Sequence, residues 1–215
     1  MIILAVDLTS EFGSLALRID DQTTQQVLHS PSGFAHVVFP AIEDLLKSSG
    51  VRLDDVSCFA SASGPGAFTG VRVGLAAIKG LAEALGRPAV GVSNLRALST
   101  FGQSKSRAVI LDARRGDVFA AVYNDGLEAT SPEVVTKLSD WLGQLRSQAC
   151  EIIVQDRALL AGLDVNIVEA PKSLAAAVAL CAEIDGSHGR WSDPAALDAN
   201  YIRRSDAEMF WTDSR

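Results

Sequence analysis

The sequence is poor in the residues that build metal centres, disulfide frameworks and cationic surfaces. Its 215 residues include only three cysteines and three histidines. Cys58, Cys150 and Cys181 are odd in number, far apart and set among apolar residues. That argues against a disulfide framework or a zinc cluster and for reduced core thiols in a reducing compartment. His29, His36 and His188 have no histidine partner four residues away, and no His-x-Glu or Cys-x-x-Cys accompanies them, so no protein-made metal site is expected. Positive charge is scarce too: 19 Lys and Arg against 26 Asp and Glu give a formal net charge of -7. Residues 1–100 hold 7 basic and 9 acidic side chains and residues 101–215 hold 12 and 17, so neither half conceals a basic domain that would attract RNA. No apolar run approaches the roughly 20 residues of a membrane helix, and the apolar start Met1-Ile-Ile-Leu-Ala-Val ends at Asp7. A soluble, cytoplasmic protein with no membrane partner is the expectation.

What is present is ordinary globular material, 48% hydrophobic and 21% charged, in a chain long enough for two compact lobes. Ile2 to Val6 and Ser14 to Ile19 read as a hairpin around Asp7, with a third strand over Thr24 to His29. Val38, Ile42, Leu45 and Leu46 recur at helical spacing up to the stop at Gly50, and Pro40 places the helix start near His36 or Val37. Val56 to Ser61 reads as a buried strand. A glycine loop follows, then a long helix from about Thr69 to Leu85, a strand Ala89 to Val92 and a short helix Asn94 to Thr100.

The same grammar returns about 105 residues on. Val-Ile-Leu-Asp112, a turn, Gly116, a strand Asp117 to Tyr123 and Asn124-Asp125 repeat the pattern of Ile-Leu-Ala-Val-Asp7, a turn, Gly13, a strand and Asp20-Asp21. Pro132 to Leu145 reads as an amphipathic helix, Ile152 to Val154 and Val165 to Val168 as strands, and Ser173 to Ile184 as an alanine-rich helix. The expected fold is a duplicated α/β architecture with lobes at 1–102 and 103–215. Ser187 to Arg215 is expected to be irregular, with mobile last residues.

The stretch Gly64-Pro-Gly-Ala-Phe-Thr-Gly-Val-Arg-Val-Gly74 stands out. Glycines between a strand and a helix suit an anion at the helix N-terminus. The spacing argues otherwise: Gly70 is followed by Val71-Arg72 instead of Lys and Ser or Thr, and three residues separate the second and third glycines where a dinucleotide fingerprint has two. Behind the loop, Gly70, Gly74, Ala77, Gly80 and Ala84 form a nearly bare stripe. It reads either as tight packing on the lobe's own sheet or as a face left free for a partner helix, with Val71, Leu75, Ile78, Leu81 and Leu85 supplying the core. Asp7 and Asp112 end corresponding strands. Facing each other across a cleft, they would hold a metal-bound nucleotide in the manner of actin, hexokinase and Hsp70-type ATPases, but an aspartate at a hairpin turn ordinarily caps its own backbone, and that reading is favoured. No Gly-x-Ser-x-Gly elbow or other nucleophile, base and oxyanion set supports a protease.

Ser63-Gly-Pro-Gly-Ala-Phe-Thr-Gly-Val-Arg-Val-Gly74 resembles the TsaB (YeaZ) family, which serves the synthesis of threonylcarbamoyladenosine in bacterial tRNA. Leu4-Ala-Val-Asp-Leu-Thr9, His36 with Pro40, Gly91-Val-Ser-Asn-Leu95, Leu111-Asp-Ala-Arg-Arg-Gly116 and Tyr201-Ile-Arg203 support the likeness. The resemblance implies a two-lobed actin-like, ribonuclease H-like fold and a non-catalytic scaffold without a cofactor of its own. It also implies pairing with the paralogue TsaD and the ATPase TsaE, homodimers through the same surface, tRNA met only through the complex, and ATP or ADP at the partner junction as an open option. TsaD holds a metal with two histidines four apart in the segment that here reads Gly91 to Leu98, and those ligands are absent. The surface implied is the helix of His36 to Ser49 with the small-residue helix. Its residues are His36, Phe39, Glu43, Phe68, Thr69, Gly70, Val71, Arg72, Gly74, Leu75, Ala77, Ile78 and Leu81.

Overall fold

A computed structural model of the protein describes residues 1–145, 150–163 and 165–202. Three strands open the chain: β1 (Ile2–Asp7), β2 (Phe12–Ile19) and β3 (Gln22–His29). They pair antiparallel in sequence order, with Asp7 opposite Ser14 at the first turn. Helix α1 (Val38–Ser48) then crosses to β4 (Cys58–Gly64), and α2 (Phe68–Leu85) crosses to β5 (Ala89–Ser93). Pro40 sits in the first turn of α1, where its missing N–H breaks no helical bond. Gly86 ends α2 in the left-handed conformation, with φ at 60°. Both crossovers run parallel, giving the sheet order β3-β2-β1-β4-β5.

The second half repeats this plan. Strands β6 (Ser106–Arg114), β7 (Asp117–Asn124) and β8 (Val134–Lys137) pair antiparallel, and β9 (Glu151–Val154) and β10 (Ile167–Glu169) extend β6 in parallel. Read from β8, the order β8-β7-β6-β9-β10 matches the first sheet strand for strand. The duplication expected from one repeated hairpin therefore extends through the whole sheet.

One expectation is corrected. Pro132 to Leu145 is not a single helix: Val134-Val-Thr-Lys137 forms β8, and only α4 (Leu138–Leu145) is helical. β-branched residues fit a pleated edge better than a helix, and β7 leaves an edge for them to pair with. The short strand near Val165 runs from Ile167 instead.

Two further helices link the lobes. Helix α3 (Asn94–Ser99) follows the first sheet and packs against β6 and β7 of the second, whereas α5 (Ala175–Ser187) follows the second sheet and packs against β1, β2 and β4 of the first. Their shared core brings Ile3, Ala5 and Ala16 together with Val109, Ala121 and Ile153. Alanine at 175, 177, 179 and 182 lets α5 lie buried between two sheets, and a helix apolar on all sides belongs in such a place. Arg96 on α3 forms a two-point ion pair with Asp185 on α5, at 2.7 and 2.9 Å. Separate cores fill the outer faces, under α1 and α2 in the first lobe and under α4 in the second.

The segment after α5 is irregular, as expected, yet it packs against the first lobe. Ser192 bridges to Ala89 at the free edge of the first sheet, a 3-10 turn spans Pro194–Ala196, and Leu197 is buried in the outer core of the first lobe. Lys79 on α2 donates to the carbonyls of Ala195 and Leu197. Arg203 and the last residues of the tail lie outside the described residues.

Candidate docking face and interlobe cleft

The glycines of the Gly64 to Gly74 stretch lie close against other segments of the chain itself. A Cβ on Gly70 would stand 1.8 Å from the Leu8 carbonyl oxygen, one on Gly66 would stand 2.7 Å from the Thr9 carbonyl oxygen, and one on Gly74 would stand 2.9 Å from Ser61 Oγ. Helix α2 is thus pressed onto the turn after β1. The Ala67 N–H donates to the Thr9 carbonyl at 2.7 Å, and the Gly64 N–H donates to Asn94 Oδ1 at 3.1 Å. Two of the amides that a phosphate cradle would aim at an anion are therefore already committed within the fold. The Gly64–Pro65 bond is cis.

Asp7 anchors the same corner and is fully buried. One carboxylate oxygen accepts from the Thr9 N–H and from Thr9 Oγ1, and the other accepts from the Leu174 N–H at the start of α5. Asn94 in turn donates to Thr9 Oγ1. Burial holds the Asp7 carboxyl above the ordinary carboxylate range, and the hydrogen bonds from Thr9 and Leu174 only partly oppose it. Asp112 occupies the equivalent turn of the second lobe. It is exposed and accepts from the Arg114 N–H at 2.7 Å. Both aspartates cap their own turns.

A cleft of about 770 Å³ opens between the lobes. Asp112 and Arg114 face it, with Lys172 and the Gly64 to Phe68 loop, whereas Asp7 is not on its wall. The pairing of Asp7 with Asp112 across a cleft is therefore corrected: burial withdraws Asp7. The C-terminal segment closes one side of the cleft. The Asn200 N–H donates to the Ser63 carbonyl, and its side chain donates to Glu133, which also accepts from Tyr123 and Ser93. Burial, reinforced by the Glu133 carboxylate, raises the Tyr123 phenol above its usual value.

The thirteen residues expected at a partner surface divide in two. Gly70, Val71, Gly74, Leu75, Ala77 and Ile78 are buried in the first lobe itself, and Leu81 is half-buried. The idea that Gly70, Gly74 and Ala77 offer a free bare face is corrected, because that side of α2 is the side laid on the sheet. His36, Phe39, Glu43, Phe68, Thr69 and Arg72 are exposed, with Phe39 at 51% and Phe68 at 44%. The outward face of α2 runs through Thr69, Arg72, Ala76, Gly80 and Ala84. At Ala76, Gly80 and Ala84 it is small, with Glu83 the exposed charge among them, and a Cβ on Gly80 would meet nothing within 4 Å. Sequence reasoning missed Tyr201 as a neighbour of this face: its hydroxyl accepts from Arg72 Nε at 2.9 Å.

Both core cysteines are free and buried, and burial raises Cys58 and Cys181 to about 12, so neither thiol is activated. Among the described residues no cluster of His, Cys, Asp or Glu is placed to hold a metal, and no helix is long and apolar enough to cross a membrane.

Two lobes of identical strand order with exchanged helices define an actin-like, ribonuclease H-like α/β protein, one whose first-lobe aspartate is built into the fold. Comparison with known proteins narrows this class. The family model described as TsaD, tRNA N6-adenosine threonylcarbamoyltransferase, matches residues 31–185. The tRNA threonylcarbamoyladenosine biosynthesis protein TsaB of Bacillus subtilis is 29% identical over 236 aligned positions that cover 100% of both chains. TsaB of Escherichia coli is 35% identical over 57% of this chain and 55% of its own. A solved Pseudomonas aeruginosa structure, described as an uncharacterized protein with similarity to peptidase YEAZ, superposes with a TM-score of 0.80 at 25% identity, covering 94% of this chain and 99% of that one. The chain belongs to the TsaB (YeaZ) family.

Proposed function

We propose that this chain is the non-catalytic docking subunit of the machinery that makes threonylcarbamoyladenosine in tRNA. It pairs with a TsaD-type transferase through the outward faces of α1 and α2, and a TsaE-type ATPase joins the pair. The observation that carries this reading is the exposed surface of Phe39, Phe68, Arg72, Ala76 and Gly80, aromatic at one end and nearly bare at the other. Small residues on an outward helix face let a second helix approach closely, and exposed aromatic residues and arginine supply binding energy. The placement of Asp7 supports a non-catalytic role, since its oxygens are spent on Thr9 and Leu174. When alone, the chain is proposed to use the same face for a homodimer.

Size-exclusion chromatography with light scattering, run on the chain alone and mixed with the transferase of the same organism, tests the reading. A stable one-to-one complex is expected, and Gly80→Leu should abolish it with the fold intact, because the added side chain meets only solvent in the free subunit. A Gly80→Leu complex that elutes unchanged would sink the α2 surface.

A second reading, nucleotide held in the interlobe cleft beside Asp112, is favoured by the roughly nucleotide-sized volume of about 770 Å³. Titration calorimetry with MgATP and MgADP on the isolated chain tests it, and absence of heat at millimolar nucleotide would remove it.

A further inference from the structure

Helix α2 presents an arginine stacked on one aromatic ring and tied by a hydrogen bond to a second. The guanidinium carbon of Arg72 lies 3.6 Å from the centroid of the Phe68 ring, one turn back on the same helix, and 5.8 Å from that of Tyr201. The two rings are themselves 5.8 Å apart. Arg72 Nε donates to the Tyr201 hydroxyl at 2.9 Å. All three residues are exposed, and Tyr201 arrives from the opposite end of the chain on the segment that Asn200 pins to Ser63.

This arrangement fixes a long side chain before any partner arrives. Stacking on an aromatic face favours the cation and restricts its rotamers, so less freedom is lost on binding. With Nε spent on Tyr201, the terminal nitrogens Nη1 and Nη2 remain. Among the described residues no carboxylate stands within ion-pair distance of Arg72. Two parallel N–H groups of this kind take a carboxylate at two points. A nucleic-acid backbone fits less well, because the chain carries a net charge of -7 and one stacked arginine neutralises one phosphate only. Aromatic residues and arginine, in contrast, are the composition of protein-binding hot spots.

We propose that Phe68, Arg72 and Tyr201 form a clamp that receives an aspartate or glutamate carboxylate of the transferase partner. The inference rests on the docking reading above and adds its anchor, its chemistry and the C-terminal segment to it. Tyr201 is a positioning residue: it orients the fork without meeting the carboxylate.

Calorimetric titration of the full chain with the transferase tests the clamp. Arg72→Ala should weaken binding about 30-fold or more. Arg72→Lys keeps the charge but loses the fork and should weaken it about tenfold. Tyr201→Phe keeps the ring but removes the acceptor for Nε and should cost about threefold. Arg72→Glu should abolish binding, and Asp→Arg or Glu→Arg at the matching transferase position should restore it. If wild-type chain shows no binding to the transferase, the docking reading falls and the clamp with it. If Phe39→Asp and Gly80→Leu weaken binding while Arg72→Lys and Tyr201→Phe do not, docking stands and the clamp is overturned. Clamp variants that change only self-association, or only retention of tRNA, assign the carboxylate to a second copy or the site to RNA, and overturn the proposal as well.

Discussion

The first lobe carries an 11-residue α1 and an 18-residue α2 over its outer face, whereas at the same places the second lobe has, among the described residues, the 8-residue α4 and a 3-10 turn at Arg157–Leu160. The sheets beneath are alike in strand order and direction. Their first turns both end in a self-capping aspartate, yet Asp7 is buried under α5 and Asp112 is open to the cleft. A repeated scaffold has thus been used in two ways. The first lobe has thickened into a helical surface whose glycines tie it to its own turn, and the second has stayed thin. Surface features suited to a partner accumulate on the thickened side.

The largest test of this contrast is a pair of helical glycines. Gly70→Ala drives a Cβ into the Leu8 carbonyl and should cost about 4 kcal/mol or more, enough to leave the chain unfolded in a urea titration. Gly143→Ala, on α4 with nothing within 4 Å, should stabilise by up to about 1 kcal/mol. Equal effects would mean that α2 is no more tightly seated than α4.

The paired aspartates come next. Asp7→Ala strands the Thr9 N–H, the Thr9 hydroxyl and the Leu174 N–H, and should lower unfolding free energy by about 3 kcal/mol. Asp112→Ala releases one exposed turn amide and should leave the denaturation midpoint almost where it was. A large loss at Asp112 would break the comparison.

Smaller still is a difference in pH dependence. Because the folded-state pKa of Asp7 is raised, the folded protein binds its proton more tightly than the unfolded chain does. Its contribution is therefore fully present below the ordinary carboxylate pKa and is lost as pH rises through the raised value. Asp7→Asn should flatten that part of the stability profile measured by thermal unfolding. The smallest effect is expected at Gly80→Ala, a gain of up to about 1 kcal/mol on an open helix face. A loss there would mean that Gly80 faces the lobe's interior.

Much of this molecule was legible from residue patterns. Alternation and helical spacing located most strands and helices within a few residues, and the Asp7 and Asp112 hairpins announced the repeat. β8 was missed because Pro132 and the apolar spacing through Leu145 imitate one amphipathic helix, and only the vacant edge of β7 decides for Val134–Lys137. The candidate surface was half legible. Spacing found the stripe of Gly70, Gly74 and Ala77, but a stripe of small residues states only that something comes close, not which neighbour.

By itself the sequence determined most of the local elements, the repeated hairpin and the family likeness, since each depends on residues near one another in the chain or on a motif read along it. Tertiary structure alone decided that Leu8 is the neighbour of Gly70, that α3 and α5 exchange lobes, that Asp7 is buried while Asp112 is not, and that Tyr201 reaches Arg72 from 129 residues away. Each of those depends on a contact between distant segments, whose geometry follows from how two sheets and their helices pack, and no local period encodes it.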